Sequence, residues 1–293
     1  MYYRVHTMSY VQCNEKKING WSQNAHSALF WHIMENCINH VKAWMNHHRL
    51  KMNESKTEYL VLSNRHIARQ IQPPTLNVCG HEVVASASAK NIGVTFDSHM
   101  TLDAHVNSVC KCAYMHLHCI AKVKRFLDRQ SLETFIHAFI TSRLDSCNAI
   151  LMGLNQQLTR KLQRVQNAAA RLLTNTRKYD HITPVLRELH WLPVVSRIKF
   201  KVLVLTFKCM KNIAPSYLCN LVKPYSSPCN LRSNDLFLLH VPFTDSQFIM
   251  NHAFSYVGPS HFNALPLFVR SSTSLDVFKR RLKTHPFKQC YNM

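Results

Sequence analysis

The sequence predicts a mainly helical α+β chain: a small sheet with one helix laid on it at the N-terminal end, then a helical bundle, then an irregular, proline-rich C-terminal region. Three observations predict it. Between residues 50 and 97, short strand-like segments are divided by turn residues. After Asp97 apolar residues recur at the three-and-four spacing of amphipathic helices. From Ala214 onward prolines at 215, 224, 228, 242, 259, 266 and 286 cut the pattern into pieces. A chain of 293 residues, 46% apolar, is long enough for one large or two ordinary domains and can fill a core.

Residues 1–24 show no usable periodicity, and Asn19-Gly20 is a turn signal. From Ser27 to Trp44 the apolar residues Leu29, Ile33, Cys37, Val41 and Trp44 share one stripe, which predicts a helix ending in Asn46, His47 and His48. A turn around Asn53 to Ser55 leads into a buried strand through Thr57, Tyr59 and Val61, and Pro73-Pro74 breaks it. Short β-like segments follow at Leu76 to Cys79, Glu82 to Ala85 and Asn91 to Phe96, with Gly80-His81 as a hairpin turn.

Helices are then predicted from Leu102 to Leu127 and from Leu132 to Leu144. The clearest lies in the second half of Ser142 to Leu173 and runs to about Thr176. At about 100° per residue, Leu158, Leu162, Val165, Ala169 and Leu172 fall on one stripe, with Arg160, Arg164 and Arg171 together roughly opposite. Another helix starts near Pro184, a residue suited to the first turn. From Val195 to Lys211, Ile198, Val202, Leu205 and Cys209 form an apolar stripe beside a basic one of Arg197, Lys201 and Lys208. Leu236 to Phe243 reads as a strand, and Leu275 to Leu282 as a last short helix carrying Lys279, Arg280 and Arg281.

Charge narrows the partners. Lys plus Arg is 36 against 15 Asp plus Glu, a formal +21 with a pI of about 9.8. The excess is +5 in residues 1–96, +6 in 97–180 and +10 in 181–293, so it is not a detachable tail. Such a chain meets nucleic acid or an anionic membrane. No apolar run approaches the roughly 18 residues that span a bilayer, and Met1 to Lys17 lacks the apolar core of a signal peptide. The expectation is therefore nucleic acid, with no membrane and no small-molecule substrate. Eleven scattered cysteines, odd in number, read as reduced thiols of an intracellular chain, cytoplasmic or nuclear and not secreted. A basic helix face is ordinarily just solvated. Here the total charge makes Arg160, Lys161, Arg164, Arg171, Arg197, Lys201 and Lys208 candidate phosphate contacts.

Other constellations carry two readings each. Cys110, Cys112, His116, His118 and Cys119 invite zinc, and Cys112, His116 and Cys119 share a helix face. Three ligands on one helix without a distant fourth, and no CxxC, point instead to thiols packed as small hydrophobes, with no metal expected. His190-Trp191-Leu192-Pro193 can stack on a base or pack two helices, and packing is the expectation. There is no GxSxG elbow, and five glycines in all leave no phosphate-binding loop.

Several strings together resemble the reverse transcriptases of non-LTR (LINE-type, jockey-like) retrotransposons. They are WMNHHRLKMNESKTEYL (44–60), AKNIGVTFD (89–97), SRLDSCNAILMGL (142–154), LQRVQNAAARLL (162–173), LHWLPVVSRIKFK (189–201), APSYL (214–218), LRS (231–233) and AFSYVGPSHFNALP (253–266), in the family's order. The resemblance implies a palm remnant at 25–97, a helical thumb at 98–180 and the element's C-terminal region at 181–293, with 1–24 unassigned. It maps the lysine beside the leaving pyrophosphate to Lys56, for which a solvated lysine after a turn is the plain alternative. AKNIGVTFD resembles the hairpin that grips the primer end, and thumb helices in the family track the template and primer backbone.

Polymerisation in that family uses two metal ions held by carboxylates. Its Tyr-x-Asp-Asp signature belongs some tens of residues before Trp44, yet no Asp precedes Asp97. Glu15, Glu35, Glu54, Glu58 and Glu82 are nowhere adjacent, and no carboxylate follows Tyr10 in Ser9-Tyr10-Val11-Gln12. The resemblance thus implies a catalytically silent remnant that binds RNA, DNA or their hybrid through backbone phosphates. It has no cofactor of its own, Mg²⁺ being the parent family's. The alternatives are a piece of an active enzyme whose N-terminal part is elsewhere, and a relic with no selected role.

Overall fold

The structure is mainly helical, 61% helix and 10% strand, and among the described residues the strands lie in the first third of the chain. The computed structural model describes residues 2–3, 6–9, 25–53, 57–62, 73–78, 80–226 and 237–291. They divide into two compact units, 1–105 and 106–293.

In the first unit β1 (Tyr2–Tyr3) and β2 (His6–Ser9) precede α1 (Ala25–His47). Each pairs in parallel with a strand beyond that helix. β1 takes β3 (Lys51–Met52), and β2 takes β4 (Glu58–Val61) with His6 opposite Glu58 and Ser9 opposite Val61. Then β5 (Leu76–Val78) pairs antiparallel with β6 (His81–Val83), and β7 (Ser88–Asn91) with β8 (Val94–Asp97). Among the described residues the expected small sheet is thus four two-stranded pieces.

Two expectations change here. The 91–96 segment is not one strand, because Ile92 and Gly93 both adopt positive φ (47° and 81°) and turn it back on residues 88–91. Two consecutive left-handed residues are the backbone of a tight hairpin turn, and glycine at the second makes it affordable there. On α1 the core face is Met34, Ile38 and Met45, buried with Met52, Tyr59, Leu76 and Val78. The expected stripe faces solvent: Ile33 and Trp44 are each 57% exposed, and Cys37 and Val41 are exposed with them. Leu29's side chain lies outside the described residues.

Helix α2 (Asp103–Val123) runs into a 3₁₀ turn, Lys124–Phe126. α3 (Arg129–Ile136), capped by the Asp128 carboxylate on Ser131 N–H, continues through a π turn, His137–Thr141, into α4 (Ser142–Asp145). A 3₁₀ turn, Asn148–Leu151, leads to α5 (Gln156–Thr174). The Asn155 side chain accepts from Leu158 N–H at 2.9 Å to start α5, and Asn175, at φ 58°, ends it. Leu158, Leu162, Val165 and Ala169 are buried as predicted. Leu173, not Leu172, completes the stripe, since the next turn of the helix lies four residues past Ala169.

α6 (Ile182–Glu188) and α7 (Val194–Met210) follow. Gln163 accepts from Val194 N–H at 2.9 Å, filling an orphan donor at the start of α7, while buried Gln166 donates to Leu192 O at 2.9 Å. α7 is buried over most of its circumference. Ile198, Val202 and Cys209 are inside as predicted, Leu205 is only half-buried, and Leu203, Val204 and Phe207 are buried beside them.

Around α7 pack α8 (Ser216–Cys219), α10 (Phe254–Asn263), α11 (Leu267–Arg270) and α12 (Leu275–Tyr291), with α9 (Gln247–His252) leading into α10. Phe207 stacks on Phe278 with ring centres 4.2 Å apart. α10 meets α7 at Gly258, where a Cβ would lie 2.6 Å from Thr206 Oγ1. α12 is twice the expected length, and Tyr291 OH at its far end donates to Trp191 O at 2.6 Å.

The expected strand at 236–243 does not form; Leu236 lies outside the described residues, and 237–243 carries a single bridge, Leu239 to Pro224. Proline at 224 and 242 cannot donate to a ladder. The Asn263 amide takes the partner strand's place, with Leu239 N–H donating to its Oδ1 at 2.8 Å and its Nδ2 donating to Leu239 O at 2.8 Å. Among the described residues no helix is long and apolar enough to cross a membrane.

Candidate nucleic-acid interface

The two units share the charge unequally. Residues 1–105 hold 10 Lys plus Arg against 7 Asp plus Glu, and residues 106–293 hold 26 against 8. The second unit carries a net +18 of the chain's +21.

Within it, α2 and α5 lie side by side. Lys161 Nζ donates to Asn107 Oδ1 at 2.8 Å, and its charge is felt by the Cys110 thiol. Further along both helices, burial and then Cys110 raise the pKa of the Tyr114 phenol, a rise that the nearby Arg164 guanidinium partly offsets. At the far end Lys124 Nζ donates to Leu172 O and Asn175 Oδ1, satisfying a carbonyl at the negative end of α5. Burial lowers the Lys124 pKa. The helices thus run parallel, and the surface line between them carries Lys161 and Arg164 with exposed Arg160 beside them. Lys111, four residues past Asn107 and three before Tyr114, shares their side of α2 and is exposed. Arg160, Arg164 and Lys111 make no hydrogen bond or ion pair among the described residues.

The other basic candidates part company with this line. Arg171 donates through Nε to Arg177 O at 3.2 Å and through Nη2 to Asp180 O at 3.0 Å, tying down the loop after α5. Arg197 grips Asp145 with both arms of its guanidinium, Nε to Oδ1 at 2.9 Å and Nη2 to Oδ2, its side chain only 19% exposed. Both serve the protein's own fold. Lys201 is exposed and Lys208 half-buried on α7, and no hydrogen bond or ion pair among the described residues joins either to the α2–α5 line. Lys56 lies outside the described residues.

Among the described residues no acid forms an ion pair with Lys111, Arg160, Lys161 or Arg164. Asp145 is held by Arg197, Glu188 faces Arg129 at 3.9 Å, Asp276 faces Lys279 at 3.7 Å and Glu133 faces His137 at 3.5 Å. Asp97, the first aspartate in the chain, accepts from Thr101 N–H at 2.7 Å, Thr101 Oγ1 at 2.9 Å and Leu102 N–H at 3.1 Å, closing the turn after β8.

On α2's opposite flank His116 stacks on Phe139 with centres 5.3 Å apart, and Phe139 on Phe135 at 5.9 Å. Cys110 is buried, which raises its thiol pKa, while Cys119 is exposed. Among the described residues no group of three or more His, Cys, Asp or Glu could hold a metal ion. Trp191 is 7% exposed and Leu192 is buried, so this corner packs helices. Sequence reasoning missed Asn107, Lys111 and Tyr114; their signal was the flank one residue beyond α2's buried positions Val106, Cys110 and Ala113. No protein-family model, no curated protein and no solved structure matches the chain.

Proposed function

We propose that this chain is a catalytically silent C-terminal remnant of a LINE-type reverse transcriptase that holds RNA, DNA or their hybrid by backbone phosphates, without sequence preference. The collinear strings support the ancestry. The binding reading rests on one observation: Arg160 and Arg164 stand exposed with Lys161 and Lys111 along the α2–α5 line, in a unit of net +18, without an acid paired to either arginine. Guanidinium groups free of internal partners suit bidentate contact to phosphate oxygens.

Three contacts from Arg160, Lys161 and Arg164 give a log-log salt slope of at least about −2.7 on duplex, at about −0.9 per phosphate. Fluorescence anisotropy of an RNA–DNA hybrid across salt concentrations measures it. R160A/R164A is expected to flatten the slope by about 1.8, since each lost phosphate contact removes about 0.9. Binding that ignores salt, or a double variant with the wild-type slope, would refute the reading. The silent half has its own check: the chain incubated with primed template, Mg²⁺ and triphosphates should leave the primer unextended.

A further inference from the structure

The end of α7 and the short helix α8 bring two thiols together that no part of the binding reading uses. Lys211 to Pro215 reverses the chain, with Asn212 N–H donating to Cys209 O at 3.1 Å and Ile213 N–H to Lys208 O at 2.9 Å. Cα atoms of the two helices consequently come within 8 Å of each other. Cys209 is 2% exposed in the core beside Phe207 and Val222, and half-buried Cys219 packs against that same core. The Cys219 thiol donates to Ala214 O at 3.2 Å, in the turn that joins the two helices, and Cys219 stands close enough to Cys209 to add to burial in raising that thiol's pKa. Neither thiol is in a disulfide. Disulfide closure asks first for neighbouring backbones, which this reversal supplies at one shared core.

We propose that Cys209 and Cys219 form a redox pair that closes to an intramolecular disulfide when the chain meets a low-molecular-weight disulfide such as oxidised glutathione. Cys219 reacts first, because Cys209 is shielded and its thiol is held protonated, burial and Cys219 pushing its pKa to about 11. The Cys219 thiolate attacks one glutathione sulfur, the glutathione S–S bond breaks, and one glutathione leaves carrying the proton that Cys219 gave up. Cys209 then loses its proton and attacks the Cys219 sulfur, releasing the second glutathione. The two cysteines give up two electrons and one glutathione disulfide becomes two glutathione thiols. The new bond closes the 209–219 turn and fixes α8 on α7.

The test is a thiol map of the full chain after exposure to oxidised glutathione, with free thiols alkylated under denaturing conditions and peptides read by mass spectrometry. The expected result is a 209–219 cross-linked peptide, lost on reduction, while exposed Cys37, Cys119 and Cys290 stop at the mixed disulfide. In C219S, Cys209 should stay a thiol; in C209A, Cys219 should stop at the mixed disulfide. The wild-type map decides without either variant. Both thiols alkylated, or Cys219 carrying glutathione while Cys209 is alkylated, overturns the proposal, as does a link from Cys219 to any other cysteine.

Discussion

Asn263 shows how one side chain can replace an element. Its amide meets both the N–H and the C=O of buried Leu239, the two bonds a neighbouring strand would make. Nothing in the 236–243 stretch announces this, because the partner is a side chain 24 residues away. N263A leaves a buried donor and acceptor unmet, so the expected loss is about 2–3 kcal/mol, read as a lower urea midpoint at unchanged slope. Arg197 is a comparable case. Arginine on a basic stripe reads from sequence as a phosphate ligand, yet Asp145, 52 residues earlier, claims both arms. Truncating it to alanine strands the half-exposed carboxylate of Asp145, with about 2 kcal/mol of lost stability expected for a charge-assisted pair. The salt slope of nucleic-acid binding should not move.

The extents of the central long helices were legible and helix faces less so. α2, α5 and α7 lie where the three-and-four spacing puts them, since in each a run of apolar residues recurs at helical spacing over three turns or more. α1 misleads because it carries two apolar stripes about 100° apart, Ile33/Cys37/Val41/Trp44 and Met34/Ile38/Met45, and periodicity cannot say which meets the strands. The unbranched methionines fill the space over β3 and β5. I38A should therefore cost about 2–4 kcal/mol as a buried truncation, whereas W44K should stay within about 0.5 kcal/mol as a surface change. A comparable loss in both would return the core to the outer stripe. α10 was hidden by Pro259, which forbids one helix bond, and its fit on α7 depends on Gly258 having no side chain. On that same helix burial, and then Lys199, lowers the His261 pKa below its ordinary 6.5. The folded state thus prefers neutral imidazole. Its contribution is complete above the unfolded pKa near 6.5 and is lost as pH falls from there toward the folded value. H261N should flatten that part of the stability profile, and an NMR titration of the ring proton should give a midpoint under 6.5.

At the scale of the whole chain, charge and strand content are segregated: the strands lie in residues 1–105 with a net charge of +3, and the second unit carries +18. Counting by thirds conceals this, because every third is positive. The α2–α5 line was half legible for a related reason. α5's arginines share a stripe in the sequence, but which helix stands next to them is set by packing across some 50 residues, as in the Lys161 to Asn107 bond. If phosphate contact is confined to the second unit, substitutions of equal charge must act unequally. R49Q/K51Q removes two exposed cations from the first unit, and R160A/R164A removes two from the second. Both lower the net charge from +21 to +19, so a binding mode driven by overall charge would weaken equally in the two. Discrete phosphate contacts predict otherwise: the first pair leaves the salt slope within about 0.3 of wild type, and the second reduces it by about 1.8, two contacts at 0.9 each. Because those contacts address the backbone and not base edges, each of the two variants should bind hybrids of unrelated sequence with an affinity that does not change with the sequence at a given salt concentration.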